Sequence, residues 1–356
     1  MTDKISENIF LPERLKNLLS RTMAGSAPTR DDCVYMLSFE DTSVEAGVIR
    51  AVANTVSRKR FNNEAIILGQ MGIETFACPA NCRFCVFGEG HTKFPDTEMS
   101  IEEIIERAET FCSGKDLYAL FLMTMHEFEI DRLLDIVKNV RKAIDSRTKI
   151  VVNIGDFDEN QARELHKAGV NGAYHVCRLR EGTDTDLDPD DRKKTFQVIK
   201  NSGLEFYYCC EPIGPEHTAE ELVDQLFLGV EYGCFQHAAM RRVFLPDSPL
   251  SGHGQISELR LGQILAVVVL ASLGCVTTDN IAVHEPNLIG LTSGANVIYT
   301  ESGANPRDEA TDTSKKRGLD VAGARKMFYE AGFKAIRRGD GSTVPLTLDY
   351  VQSFFQ

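Results

Sequence analysis

Residues 66–85 read Ile66-Ile-Leu-Gly-Gln-Met-Gly-Ile-Glu-Thr-Phe76-Ala-Cys78-Pro-Ala-Asn-Cys82-Arg-Phe-Cys85. The first half is a short apolar run of the kind that forms a buried strand. The second half sets three cysteines directly after it, in the spacing Cys78-x3-Cys82-x2-Cys85. Three thiolates on one loop can wrap one face of a compact metal centre. A structural zinc site or a complete iron–sulfur site normally takes four protein ligands. No fourth cysteine or histidine follows at ligand spacing, with His91 six residues on. Three ligands at the C-terminal end of a strand leave one metal position open, which suits a bound cofactor or substrate. A zinc knuckle with a distant fourth ligand is the alternative reading of the same residues.

Outward from this stretch, short apolar strands alternate with amphipathic helices. Eight strand candidates are 66–76, 117–124, 149–154, 172–177, 204–211, 234–244, 275–281 and 295–300. Ile101, Ile104, Ile105, Ala108 and Phe111 line one face of the first intervening helix, which opens on a capping box, Ser100 and Glu103. Ile130, Leu133, Leu134, Val137 and Val140 do the same for the second. Eight such units predict an α/β fold, a (β/α)8 TIM-type barrel with its active site at the C-terminal ends of the strands. A doubly wound sheet is the other architecture that alternation allows. Ahead of the barrel, 11–23 and 44–61 carry apolar residues at helical spacing around a breaker at 25–28. The predicted organisation is an N-terminal helical extension (1–62), the barrel (63–333) and a C-terminal tail packing on it (334–356).

The chain has 356 residues, 43% of them hydrophobic and 26% charged, with a net charge of −13. That charge argues against nucleic acid or an anionic membrane as a partner. The most apolar run, 264–273, is too short to span a bilayer and reads as a buried helix. The N-terminus lacks a signal-peptide core, and the expectation is a cytoplasmic protein. Ten cysteines in such a chain point to metal or redox chemistry before disulfides.

The cysteine spacing, with aromatic Phe84 before Cys85, resembles the signature of the radical S-adenosylmethionine (SAM) superfamily. The resemblance continues along the barrel to the branch of biotin synthase, a hydrogenase maturase and methylornithine synthase. Ile154-Gly-Asp-Phe157, residues 184–203, Glu211-Pro-Ile-Gly-Pro-Glu216, Asp247-Ser-Pro-Leu250 and Gly294-Ala-Asn-Val-Ile298 resemble that branch in order and spacing. The resemblance implies that Cys78, Cys82 and Cys85 hold a [4Fe-4S] cluster and that SAM binds its fourth iron. Reductive cleavage then gives a 5′-deoxyadenosyl radical that abstracts a hydrogen atom from a small-molecule substrate. It also implies a flavodoxin- or ferredoxin-type electron donor and an anaerobic site. Phe84 falls near adenine, Arg192 on the SAM carboxylate, and Asn153, Glu181, Glu211 and Ile213 within the cofactor site. The second-strand motif departs from the family's Gly-Gly-Glu type and reads Thr124-Met-His-Glu127, which makes Thr124 and Glu127 candidates for the SAM amino group. At the places of biotin synthase's second cluster stand Leu122, Val152, Tyr207 and Ile281, so its sulfur donor is not visible.

Cys177 and Cys209 are candidate catalytic residues with His126: hydrogen-atom donors, or ligands of an auxiliary Fe–S cluster. Neighbours on a strand point to opposite sides, so the inward set is Tyr207, Cys209 and Glu211 or else Tyr208 and Cys210; the alignment favours the first. The bland reading of these thiols is packing. Cys33, Cys112, Cys234 and Cys275 read as structural. His175, His237, Arg241, His284, Tyr299, Glu301 and Asn305 lie near strand ends, where substrate contacts belong, and 314–317 reads as a solvated loop. Three functions follow: a radical enzyme of cofactor or small-molecule biosynthesis that rearranges or fragments its substrate, one that inserts sulfur, or a non-catalytic Fe–S or zinc protein.

Overall fold

The computed structural model describes residues 11–91, 96–301 and 319–354. Eight parallel strands form its centre: β1 (Glu64–Gly72), β4 (Ala119–Met123), β5 (Lys149–Asn153), β6 (Gly172–Tyr174), β7 (Glu205–Ile213), β8 (Gln236–Arg241), β9 (Asn280–Val283) and β10 (Val297–Thr300). Each pairs with the next, and β1 pairs with β4 on one side and β10 on the other, Leu68 facing both Ala119 and Tyr299. That last ladder closes the barrel and rules out the doubly wound sheet. The strands are near-continuous apolar runs because both faces are covered; in β1 all but Glu64 are buried.

Helices α4 (Ile101–Cys112), α5 (Ile130–Ala143), α6 (Glu159–Ala168), α7 (Pro189–Ser202), α8 (Ala219–Tyr232), α9 (Glu258–Ala271) and α10 (Leu288–Thr292) connect successive strands. The capping box of Ser100 and Glu103 forms as expected, and Asp158 with Gln161 and Thr218 with Glu221 build two more. The apolar run at 264–273 lies within and just after α9, whose residues from Leu261 to Ala271 are all buried. It is buried because α2 (Arg30–Leu37) and α3 (Val44–Arg60) pack over it, with α1 (Glu13–Met23) against α3. Arg60 pins this extension to the barrel by donating to the carbonyls of Ser272, Cys275 and Thr278. Among the described residues no helix is long and apolar enough to cross a membrane.

Several strands differ in extent from the expected runs; the candidate 234–244, for one, forms a strand only over Gln236–Arg241. The run at 66–76 breaks after Gly72, and Glu74–Thr75 (β2) pairs instead with Thr97–Glu98 (β3), an antiparallel clasp beneath the cysteine loop. The sixth strand ends at Tyr174, because Val176 to Cys177 leave the ladder for a loop. The run predicted at 275–281 starts late, since Cys275 to Thr278 form a turn before β9. Beyond α11 (Val321–Glu330), β11 (Ala335–Arg337) lies parallel to the start of β1 and β12 (Thr343–Pro345) antiparallel to β11. Asp116 ties this end down, accepting from Arg325 at 2.7 Å twice and from Tyr350, on the last helix α12 (Leu348–Gln352), at 2.9 Å.

Candidate active site

The cysteine loop leaves the C-terminal end of β1 and folds on its own backbone. Cys78 N–H donates to the Phe87 carbonyl at 2.7 Å, Glu89 N–H returns to the Cys78 carbonyl at 3.1 Å, and Cys85 N–H donates to Cys82 at 2.9 Å. Asn81 takes a left-handed conformation (φ 46°) and donates its side-chain amide to Asp186 at 2.9 Å. Two backbone bonds, Arg83 N–H to Asp184 and Asp186 N–H to Ala80, both 2.9 Å, sew the loop to the segment after β6. His91 places Nε2 2.5 Å from the Cys85 carbonyl oxygen, so its ring braces the loop. Cys82 is buried, and burial pushes its thiol up to about 12, while Cys78 and Cys85 are half-buried. Metal binding at such a thiol releases its proton. Among the described residues no three His, Cys, Asp or Glu side chains already stand at metal-ligand spacing, the loop included.

Cys85 and Phe84 form one wall of a cavity over the barrel mouth, about 890 Å³ of empty space partly open to solvent. Strand ends supply the floor and far side: Gln70, Asn153, Tyr174, Glu211, Met240 and His284, with Arg178, Arg242 and Glu301 from the loops above. Tyr174 donates its hydroxyl to Glu211 at 2.6 Å, Gln70 meets His284 Nε2 at 3.1 Å, and His284 stacks on Tyr299 with centroids 4.5 Å apart. Arg242 is tied to Glu216 by both terminal nitrogens. The cavity is thus polar at its rim and lined by Met123, Met240, Val243 and Leu245 between the charges.

Of the residues expected to bind cofactor, Phe84, Asn153 and Glu211 lie in this wall. Ile213 is buried beside it, one residue past the cis peptide Glu211–Pro212. Arg192 lies outside the wall, 3% exposed, donating Nε to the Val176 carbonyl at 3.1 Å. Its Nη1 forms an ion pair with Asp156 Oδ2 at 3.0 Å. Asp156 also accepts from Thr195 at 2.6 Å and meets His175 Nε2 at 3.0 Å. Burial would raise the Asp156 pKa, but His175, Arg192 and Thr195 pull it well below the usual carboxylate range.

Other expectations need correcting. Glu181 turns away from the cavity, accepting from the Arg178 backbone at 2.5 Å and from Thr185 at 2.8 Å. Thr124 spends its hydroxyl on the Met125 carbonyl, and Glu127 is exposed. Glu74 is what anchors this turn: its carboxylate, 6% exposed, accepts from Met125 N–H and Arg132, each at 3.2 Å. His126 is half-buried against Gly155, and burial, then Arg192, lower its pKa. On β7 the inward set is Tyr207, Cys209 and Glu211: Tyr207 packs on Phe121, while Tyr208 and Cys210 bond outward to Gln225 and Leu222 of α8. Cys209 is fully buried inside the barrel, and Cys177 lines a groove on the outside with Lys193 of α7 and Gln225 of α8. The three thiols therefore do not share the mouth. His175 and His237 are buried scaffold, the latter held by the Leu226 carbonyl. Arg241 pairs with Glu285. Asn305 and 314–317 lie outside the described residues. Sequence reasoning missed Gln70, Glu74, Tyr174, Arg178 and Arg242; a polar residue at the C-terminal end of a barrel strand was the available signal.

Residues 74–176 match the family model "Radical SAM superfamily". The chain is 24% identical to biotin synthase from Sulfurihydrogenibium sp. over 72% of its own length and 78% of the relative's. It is 25% identical to biotin synthase from Nocardioides sp., with 92% and 98% covered. In fold it is similar to crystalline methylornithine synthase, with a TM-score of 0.76 at 17% identity, covering 89% of this chain and 96% of that one. The hydrogenase maturase HydG from Carboxydothermus hydrogenoformans gives 0.73 at 14%, covering 92% and 80%.

Proposed function

We propose that this chain, whose residues 74–176 match the Radical SAM superfamily model, holds a [4Fe-4S] cluster on Cys78, Cys82 and Cys85 and binds SAM in the cavity at the barrel mouth. The observation that carries the reading is Cys85 and Phe84 standing in the wall of that cavity, at the end of β1. The cluster, when bound, supplies the electron that cleaves SAM and so the radical that takes a substrate hydrogen atom. The protein's share is placement and exclusion of water. Phe84 offers a face for adenine. Arg192, which the resemblance puts on the SAM carboxylate, lies behind the cavity wall in an ion pair with Asp156. Asn153 and Glu211 present polar atoms from neighbouring strand ends, and Gln70, His284 and Glu301 line the side left for substrate.

Rearrangement or fragmentation of a small biosynthetic molecule fits better than sulfur insertion. Cys177, Cys209 and Cys210 point outward, inward and outward, which disfavours an auxiliary cluster on these residues. The test is iron and sulfide per chain after anaerobic reconstitution, with SAM cleavage under dithionite. About four of each, cleavage lost in Cys82→Ala, and iron unchanged in Cys177→Ser and Cys209→Ser are expected. A chain that takes up zinc but cleaves no SAM would overturn the reading. Iron well above four that falls in Cys177→Ser or Cys209→Ser would restore sulfur insertion.

A further inference from the structure

Arg178 follows β6, and backbone hydrogen bonds hold the main chain there. Its N–H donates to Glu181 at 2.5 Å, and the next residue, Leu179, donates to the Glu211 carbonyl at 2.8 Å. The guanidinium reaches into the cavity wall shared with Cys85, its Cζ 6.0 Å from the Phe84 ring centroid and its Nε 3.7 Å from Glu211 Oε1. A guanidinium stays protonated in proteins, so the group is a cation, with Glu211 paired to it. A cation therefore lies beside the loop that carries the thiols, with Glu211 as its ion-pair partner and Glu181 close to it.

We infer that Arg178 is a positioning residue for charge: it sets the reduction potential of the cluster held by Cys78, Cys82 and Cys85. The inference rests on the functional reading above. An iron–sulfur cluster gains one negative charge on reduction, and its potential follows the local charge and hydrogen bonding. A cation held beside the ligand loop stabilises the reduced state more than the oxidised one and makes the electron easier to accept. Glu211 works in the opposite sense and offsets part of that effect. Arg192 has a different place: it is buried behind the wall against Asp156.

The experiment is an anaerobic redox titration of the reconstituted protein without SAM, followed by electron paramagnetic resonance, with iron measured on each sample. Arg178→Gln should move the midpoint to lower potential, with the reduced-to-oxidised ratio at the wild-type midpoint falling roughly tenfold, the scale of one partly compensated charge at an effective dielectric of about 20. Arg178→Lys should restore most of it, and Glu211→Gln should move the midpoint up. An iron-replete Arg178→Gln protein with the wild-type midpoint overturns the inference. Should that variant not hold iron, Glu211→Gln decides, and an unmoved midpoint there overturns it. A wild-type protein that takes up no iron sinks the functional reading and this inference together, whereas a normal cluster with unmoved midpoints sinks only the inference.

Discussion

Gly155, between β5 and α6, has no room for a side chain. A Cβ built on it would lie 1.8 Å from the His126 carbonyl oxygen, 2.8 Å from its carbon and 3.1 Å from the ring Nδ1. Carbon–oxygen contacts settle at about 3.3 Å, so Gly155→Ala has to drive the His126 backbone back by roughly 1.5 Å. That backbone belongs to the turn anchored by Glu74 through Met125 N–H, and its retreat also loosens the Asp156 turn one residue on. Overpacking of this kind costs about 1–3 kcal/mol. Urea unfolding of the apo protein should show that loss, and anaerobic calorimetry should show SAM binding weakened beyond it. Gly252→Ala is the control, because nothing lies within 4 Å of its Cβ position. If Gly155→Ala matched wild type in both measurements, the β4 turn would not sit where the structure places it, and the argument for the SAM side of the cavity would fail.

Arg192→Ala should weaken SAM binding in calorimetry while iron content stays near wild type, because the arginine is remote from the thiols; unchanged affinity would remove Arg192 from the site. Asp116→Ala should cost about 3–5 kcal/mol in urea unfolding, since it strands Arg325 as a buried charge without its partner. For Glu216, burial pushes the pKa up, but Arg242 brings it from 4.5 down to about 2. A depressed carboxylate contributes stability that is present above its unfolded value and is lost as pH falls through the folded one. The urea midpoint of the apo protein should therefore fall between pH 4.5 and 2, and Glu216→Gln should flatten that part of the curve.

Much of the barrel was legible because its signals are local. The eight apolar runs, the capping box at Ser100 and the cysteine spacing need only their own neighbours to be read. α2 escaped notice because its buried residues, Cys33, Met36 and Leu37, fill little more than one turn. The cavity's charges escaped for a different reason. Glu74 has meaning only once Arg132 and Met125 fold onto it, and Arg178 only once β7 brings Glu211 alongside. Cys177 was misplaced because the strand was read through to 177, past Tyr174, where the ladder had already ended. Alternation did apply on β7, and there the alignment chose the inward set that the packing shows.

The ladder between β1 and β10 joins Ile66 to Val297. During synthesis the three thiols thus leave the ribosome roughly two hundred residues before the strand that completes the wall beside them, an interval of about 10–40 s at ordinary elongation rates. Until then β1 is the edge of an uncurled sheet, and metal caught by the loop would sit on open backbone exposed to oxygen and to competing ions. On the proposed function, loading of the centre would fall to the finished chain, and iron could be supplied after translation rather than during it.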